Sequence, residues 1–259
     1  MKIKSTLYLI LLLLICCKAF GGKPTVYNGN ASAPVKNGLY KFSGKLNNRI
    51  PIFMWLVVKD SVIKGEVTYT KTKSPVPIKL AGTITKTEGL AIYEFAKDGI
   101  MTGIYKGQIN VQSFTGDWYS PGSDKDLKYT LLQKDTLLNK IDTALKPVSI
   151  TGQYVYHWGK RGGDGSIDIK RLTGNNINAS INCVTGSPEN NIADVEPFKA
   201  KINRNTIIFK IPDTSCKFRM KVFKDFIVID RITETGECGF GMNASIKGVF
   251  FKTSNTPKI

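Results

Sequence analysis

Histidine is almost absent from this 259-residue chain, with His157 the single copy. No CxxC or HxxxH spacing occurs, so the usual zinc-binding patterns are missing and no metal or other cofactor is expected. There is no GxSxG elbow and no GxxxxGK[ST] loop, which removes the common serine-hydrolase and phosphate-cradle signatures. Any Ser-His-Asp or Cys-His arrangement has to use His157, with Cys183 the thiol best suited to join it. After the N-terminal segment no further run is long and apolar enough to cross a bilayer as a helix. Acidic residues are also scarce, 20 against 37 lysines and arginines, for a formal charge of +17. That excess is spread along the chain. Residues 37–135 hold fourteen basic and nine acidic residues, and residues 149–254 hold fifteen and ten. A nucleic-acid binder concentrates its charge in a stripe or patch, so none is expected as partner.

What the chain does have begins with a leader. Lys2 and Lys4 precede an apolar run from Leu7 to Cys17, and Cys17-Lys18-Ala19 fits small-x-small. This is the layout of a secretory signal peptide over residues 1–19, cleaved after Ala19. A second reading takes Leu14-Ile15-Cys16-Cys17 as a loose lipobox with Cys17 the lipidated residue, and only then is the membrane a partner. The expected location is secreted or periplasmic, or, on the second reading, a membrane-anchored lipoprotein. Residues 20–36 are rich in Gly, Pro, Asn and small residues without apolar period, as in a flexible linker.

From Gly38 onward the chain reads as strands broken every 10–12 residues by turn chemistry at Asn47-Asn48, Lys59-Asp60, Lys73-Ser74-Pro75 and Lys97-Asp98-Gly99. The predicted class is all-β: two tandem antiparallel meander barrels or sandwiches of about eight strands each. The first spans 37–135 and the second 149–254. Residues 136–148, TLLNKIDTALKPV, place Leu137, Leu138, Ile141, Ala144 and Leu145 at helical spacing and predict a short helical connector. Both domains open with Gly-x-Tyr, at Gly38-Leu39-Tyr40 and Gly152-Gln153-Tyr154. The segment 183–197, CVTGSPENNIADVEP, reads as the longest polar connection of the second half and the natural place for a binding loop. The closing strand is expected within MNASIKGVFFK, from Met242.

Cysteines 183, 216 and 238 remain after the leader, one pair and one leftover in an oxidising compartment. From Cys216 to Val222 apolar and basic residues alternate, Lys224-Asp225 supplies a tight turn, and FIVID returns. With that turn, Phe223 faces Phe226 and Cys216 faces Thr233, and the bend at 234–237 brings Cys238 beside Cys216. The expected disulfide is therefore Cys216–Cys238, with Cys183 a buried free thiol.

The candidate binding cleft is Tyr154, Tyr156, His157 and Trp158 with Lys160 and Arg161, an aromatic strand running into a basic, glycine-rich loop. Core packing is the commoner fate of the alternating aromatics. Paired carboxylates are the remaining enzymatic route, drawn from Glu66, Glu94, Asp117, Asp168 and Asp230. Glu94, in IYEFA, is expected to alternate outward to solvent.

The pieces Gly152-Gln153-Tyr154, Ser180-Ile181-Asn182-Cys183-Val184-Thr185-Gly186-Ser187-Pro188, Cys216-Lys217-Phe218 and Cys238-Gly239-Phe240-Gly241, with Lys247-Gly248-Val249-Phe250, resemble a β-domain of exported proteins and lipoproteins of Bacteroidota-type bacteria. Pro77 to Thr83, Ile92-Tyr93-Glu94 and Gly116-Asp117-Trp118 resemble another exported β-domain of such bacteria. The resemblance implies compartment and fold, with no secure activity attached. The expected function is a non-catalytic exported module that binds a protein or glycan of the envelope. The alternatives are a barrel carrying a small apolar or glycan ligand in its interior, and a carboxylate-dependent glycan hydrolase.

Overall fold

The structure is a computed structural model that describes residues 35–85, 89–110, 112–138, 149–159, 162–233 and 236–259. Sixteen strands form two closed antiparallel barrels, with no α-helix among the described residues. The first holds β1 (Gly38–Leu46), β2 (Ile50–Lys59), β3 (Val62–Tyr69), β4 (Ile78–Thr85), β5 (Gly89–Phe95), β6 (Met101–Ile109), β7 (Ser113–Ser120) and β8 (Lys125–Leu138). The second holds β9 (Gly152–His157), β10 (Asp164–Arg171), β11 (Asn176–Val184), β12 (Ile192–Asn203), β13 (Thr206–Lys210), β14 (Lys217–Val222), β15 (Phe226–Arg231) and β16 (Gly248–Ser254). Each strand pairs with its chain neighbours, and each barrel shuts by pairing last with first, β8 with β1 and β16 with β9. Every strand thus has a neighbour on each side, although β12 and β13 meet only at Ile202–Ile207 and Asn203–Thr206. Both barrels lie in one compact unit, residues Ala33–Ile259.

Local chemistry explains the meander. Asn47 and Asn48 both take positive φ, 45° and 54°, between Leu46 and its partner Ile50. Asparagine tolerates that left-handed backbone, which matches the strand twist of a tight hairpin. The next turn sits one residue later than expected, at Asp60 and Ser61, because Lys59 pairs with Val62 and stays in the strand. Along each strand alternate side chains point inward. Phe42, Met54, Leu56, Ile92, Phe114 and Leu131 fill the first lumen, and Ile167, Ile169, Ile181, Ile207, Phe218 and Ile229 the second. Each such side chain contributes roughly 1.5–3 kcal/mol of burial.

Three sequence expectations are corrected here. Residues 136–138 are strand, with Leu138 paired to Gly38, because β8 must run long enough to close on the whole of β1. The rest of the expected helical connector lies outside the described residues. The 183–197 segment is mostly strand: β11 runs to Val184 and β12 begins at Ile192. Pairing of Cys183 with Ala193 and Ile181 with Val195 turns Ala193 and Val195 inward, leaving Ile192, Asp194 and Glu196 on the wet face. The loop itself is 185–191, held by Thr185 N–H to Asn191 O at 2.9 Å. The last strand starts at Gly248; Met242 to Lys247 is loop, although Ile246 is buried. At the N-terminal side, Val35 packs on the first core and the Lys36 carbonyl accepts the Tyr40 hydroxyl at 2.7 Å, so the expected linker ends at the barrel wall. The expected signal peptide and most of that linker lie outside the described residues.

Candidate functional site

The two barrels meet through outward-facing apolar residues. Val57, Val62, Ala81, Phe95 and Met101 of the first pack with Phe223, Phe226, Val228, Val249 and Phe251 of the second. Phe95 stacks on Phe251 with centroids 5.2 Å apart and 14° between planes, a contact worth about 0.5–1.5 kcal/mol beyond its buried area. Strand β15 is therefore buried on both faces over Phe226–Ile229, which is why FIVI reads as an unbroken apolar run rather than an alternation. The backbone joins in as well. The His157 N–H donates to the Gly99 carbonyl at 3.2 Å, and Ile100 bridges His157 in parallel.

A cleft of about 370 Å³ opens along this seam. Strands β2 to β4 supply Trp55, Lys64, Glu66 and Lys79, and the β14–β15 turn supplies Lys224 and Asp225 over a floor that includes Phe226 and Phe251. Asp225 forms ion pairs with Lys64 Nζ at 3.2 Å and Lys79 Nζ at 3.8 Å, so one carboxylate of the second barrel faces two ammonium groups of the first. The Lys64 and Asp225 side chains are only 15% and 23% exposed, so this pair is screened less than an ordinary surface ion pair. Lys79 Nζ also sits 5.2 Å above the Phe251 ring, a cation–π contact. Trp55 is oriented by its indole N–H donating to Glu66 Oε2 at 3.2 Å.

A second cleft, of about 350 Å³, lies around His157. Its lining includes Asp98 from the β5–β6 turn of the first barrel and Gln153, Asp164, Ser166, Asp168 and Asn182 from the second. Asp164 lies opposite His157 in register, and its Oδ1 is 2.7 Å from the imidazole Nδ1. Asp168 is nearly buried; its oxygens accept the Lys258 backbone N–H at 2.8 Å and the Gln153 amide at 3.4 Å. Such an aspartate–histidine pair fixes the ring orientation and leaves the other nitrogen for a ligand.

The predicted cleft is divided by this arrangement. Tyr154 is fully buried in the second lumen and donates to the Ile150 carbonyl at 3.0 Å. Tyr156 packs on Phe250 with centroids 5.0 Å apart. Trp158 turns to the seam, edge-on to Tyr93 at 6.4 Å. Of the described residues of that set, only His157 lines either cleft. Alternation carries the tyrosines into the core while His157, between them and Trp158, faces out. Lys160, Arg161 and Cys17 lie outside the described residues.

Glu94 does not alternate outward. It is 1% exposed and sits on the inner face of β5, two residues beyond Ile92. The Tyr69 and Tyr105 hydroxyls donate to its Oε1 at 2.7 and 2.8 Å, and Thr102 Oγ1 donates to Oε2 at 3.2 Å. Burial pushes the carboxyl above its ordinary range, against these donors, which favour the charged form. The Trp118 indole N–H also favours the charged form, but it makes no direct hydrogen bond, so its role is electrostatic. Burial, with Glu94 beside it, likewise raises Tyr105 well above its ordinary value. The inward turn is dictated by pairing, since Leu80, Glu94 and Gly103 share one level of the β4–β5–β6 sheet. Neither cleft is lined by Glu94, so the network reads as structural.

The other enzymatic candidates do not converge. Asp117 pairs with Lys128 at 2.5 Å, Asp230 with Arg219 at 3.2 Å, and Glu66 with Trp55. The disulfide joins Cys216 and Cys238 with Cα atoms 5.4 Å apart, and Cys183 is free and buried. Burial raises the Cys183 thiol to about 12, so it is protonated and unreactive at neutral pH. No group of three or more histidine, cysteine or acidic residues is placed to hold a metal among the described residues.

Sequence reasoning passed over the seam cluster. Lys64 and Lys79 have the look of solvated strand faces, and Asp225 of a turn residue. The available signal was the pair of unbroken apolar runs, WLVV and FIVI, which mark strands covered on both sides. No protein-family model, no curated protein and no solved structure matches this chain.

Proposed function

We propose that the protein is an exported, non-catalytic binding module whose recognition surface is the seam between its barrels. One observation supports this above others: the lumens are filled by side chains, while both clefts described above lie on the outside and take residues from each barrel. A filled interior disfavours the carrier reading. Two barrels locked by an apolar seam present a fixed groove, and a preformed groove binds without the cost of ordering itself.

The reading is tested by capture from envelope and secreted extracts, repeated at high salt to discard charge-driven contacts. A partner retained at high salt by the native protein, and lost by the seam variant Trp55→Ala but not by the remote Ile208→Ser, supports it. Equal capture by all three proteins contradicts it. A second reading, hydrolysis of a glycan bond, is favoured by the His157–Asp164 pair with Asp98 and Asp168 in one cleft. Turnover of an oligosaccharide panel that is lost in Asp164→Asn would move the assignment to that reading.

A further inference from the structure

The cleft at Trp55 combines features that single out a class of ligand. Three lysines converge there from both barrels, against the two carboxylates of Asp225 and Glu66. Asp225 is engaged with Lys64 and Lys79, and Glu66 accepts the Trp55 N–H. Lys79 is half exposed and held only at 3.8 Å, and Lys224 makes no ion pair among the described residues. The cleft thus keeps an excess of positive charge at its mouth. Its floor and wall are aromatic, and its volume falls near the lower end of the usual ligand-site range, roughly 300–1,000 Å³. An aromatic wall takes the C–H face of a sugar ring, and fixed carboxylates beside it accept hydroxyl protons. The ammonium groups take an anionic substituent.

On the reading that the seam is the recognition surface, we infer that this cleft binds an acidic saccharide, with a ring against Trp55 and its carboxylate, sulfate or phosphate group on Lys79 and Lys224. A neutral glycan leaves the lysines without a counter-charge. A lipid chain finds too little apolar lining, and an extended acidic peptide offers no ring face to Trp55.

The test is calorimetric titration of the protein with trigalacturonate at low salt, with maltotriose as the neutral sugar of equal ring count. Binding of the acidic sugar at least tenfold tighter than the neutral one is expected. Lys79→Gln/Lys224→Gln should lose about tenfold of that affinity, as for a charged hydrogen bond, with the cooperative melt retained, while Lys170→Gln, exposed on β10 and outside the cleft, should lose none. Trp55→Ala should weaken both sugars. Equal affinity for both sugars, or a double variant that binds as well as the native protein, overturns the assignment. So does equally tight, equally lysine-dependent binding of triglutamate or of phosphatidylglycerol vesicles. If trigalacturonate fails while the captured partner remains sensitive to Trp55→Ala, the ligand class is wrong and the seam reading stands. If the capture is also insensitive, both fall.

Discussion

In the first barrel the inward side chains include Tyr40, Tyr105, Tyr129 and a carboxylate, Glu94. The second is lined chiefly by isoleucines and phenylalanines, and its one end is tied by the Cys216–Cys238 bond. Both are eight-stranded meanders of similar chain length, so the contrast isolates how a lumen of one size is stabilised. In the first, Glu94 joins β3, β5 and β6 through Tyr69, Thr102 and Tyr105, a network satisfied only by a titratable group held in the wrong dielectric. The second avoids that penalty and instead restrains the unfolded chain. One barrel should therefore answer to pH and the other to reductant.

The largest separation should come from reductant. The bond closes a span of 22 residues, and losing it should cost the second barrel roughly 2–4 kcal/mol while leaving the first unchanged. Amide exchange followed barrel by barrel, with and without reductant, reads this directly; equal loosening of both barrels would refute the division.

The pH response follows next, with a defined sign. The folded Glu94 carboxyl titrates above its unfolded value near 4.5, so the unfolded chain releases its proton first as pH rises. This group therefore costs stability progressively from that point until the folded carboxyl also ionises. Glu94→Gln keeps the shape and removes the titration, so the variant should gain on the native protein as pH is raised above 4.5. Melting curves of the two proteins across that window that stay parallel would contradict it.

A smaller effect should be shared by the two barrels. Tyr40 and Tyr154 each follow the opening glycine by two and donate to the carbonyl four residues upstream, of Lys36 and Ile150. Tyr40→Phe and Tyr154→Phe should each cost about 1 kcal/mol in denaturant titration. A large loss in one and none in the other would break the structural parallel. The smallest is a null: Cys183 should resist alkylation in the native state and take one label on denaturation without reductant, because its thiol is buried and burial keeps it protonated.

The strand count, the turns and the disulfide were legible because each is written locally. Alternation from Cys216 to Val222 and the Lys224-Asp225 turn fix a register in which Phe223 N–H meets Phe226 O at 2.9 Å. Sequence proximity then carries Cys238 to Cys216. Local rules fail where a second neighbour decides. Helical spacing in 136–148 is overruled at 136–138 by the demand of β1 for a closing partner. Glu94 is polar by composition yet inward by register, and the hydroxyls of Tyr69, Thr102 and Tyr105 on two other strands make that tolerable. The seam lies further still from the sequence, since Lys64, Lys79 and Asp225 meet only after both barrels have closed.

The seam claim is tested most directly by amide-exchange footprinting of the protein bound to its captured partner. Added protection is expected on both barrels at once, at residues 64–66, 79–80 and 224–226, with the amides of strands away from the seam unchanged. Protection confined to one barrel, or centred away from these segments, would contradict it.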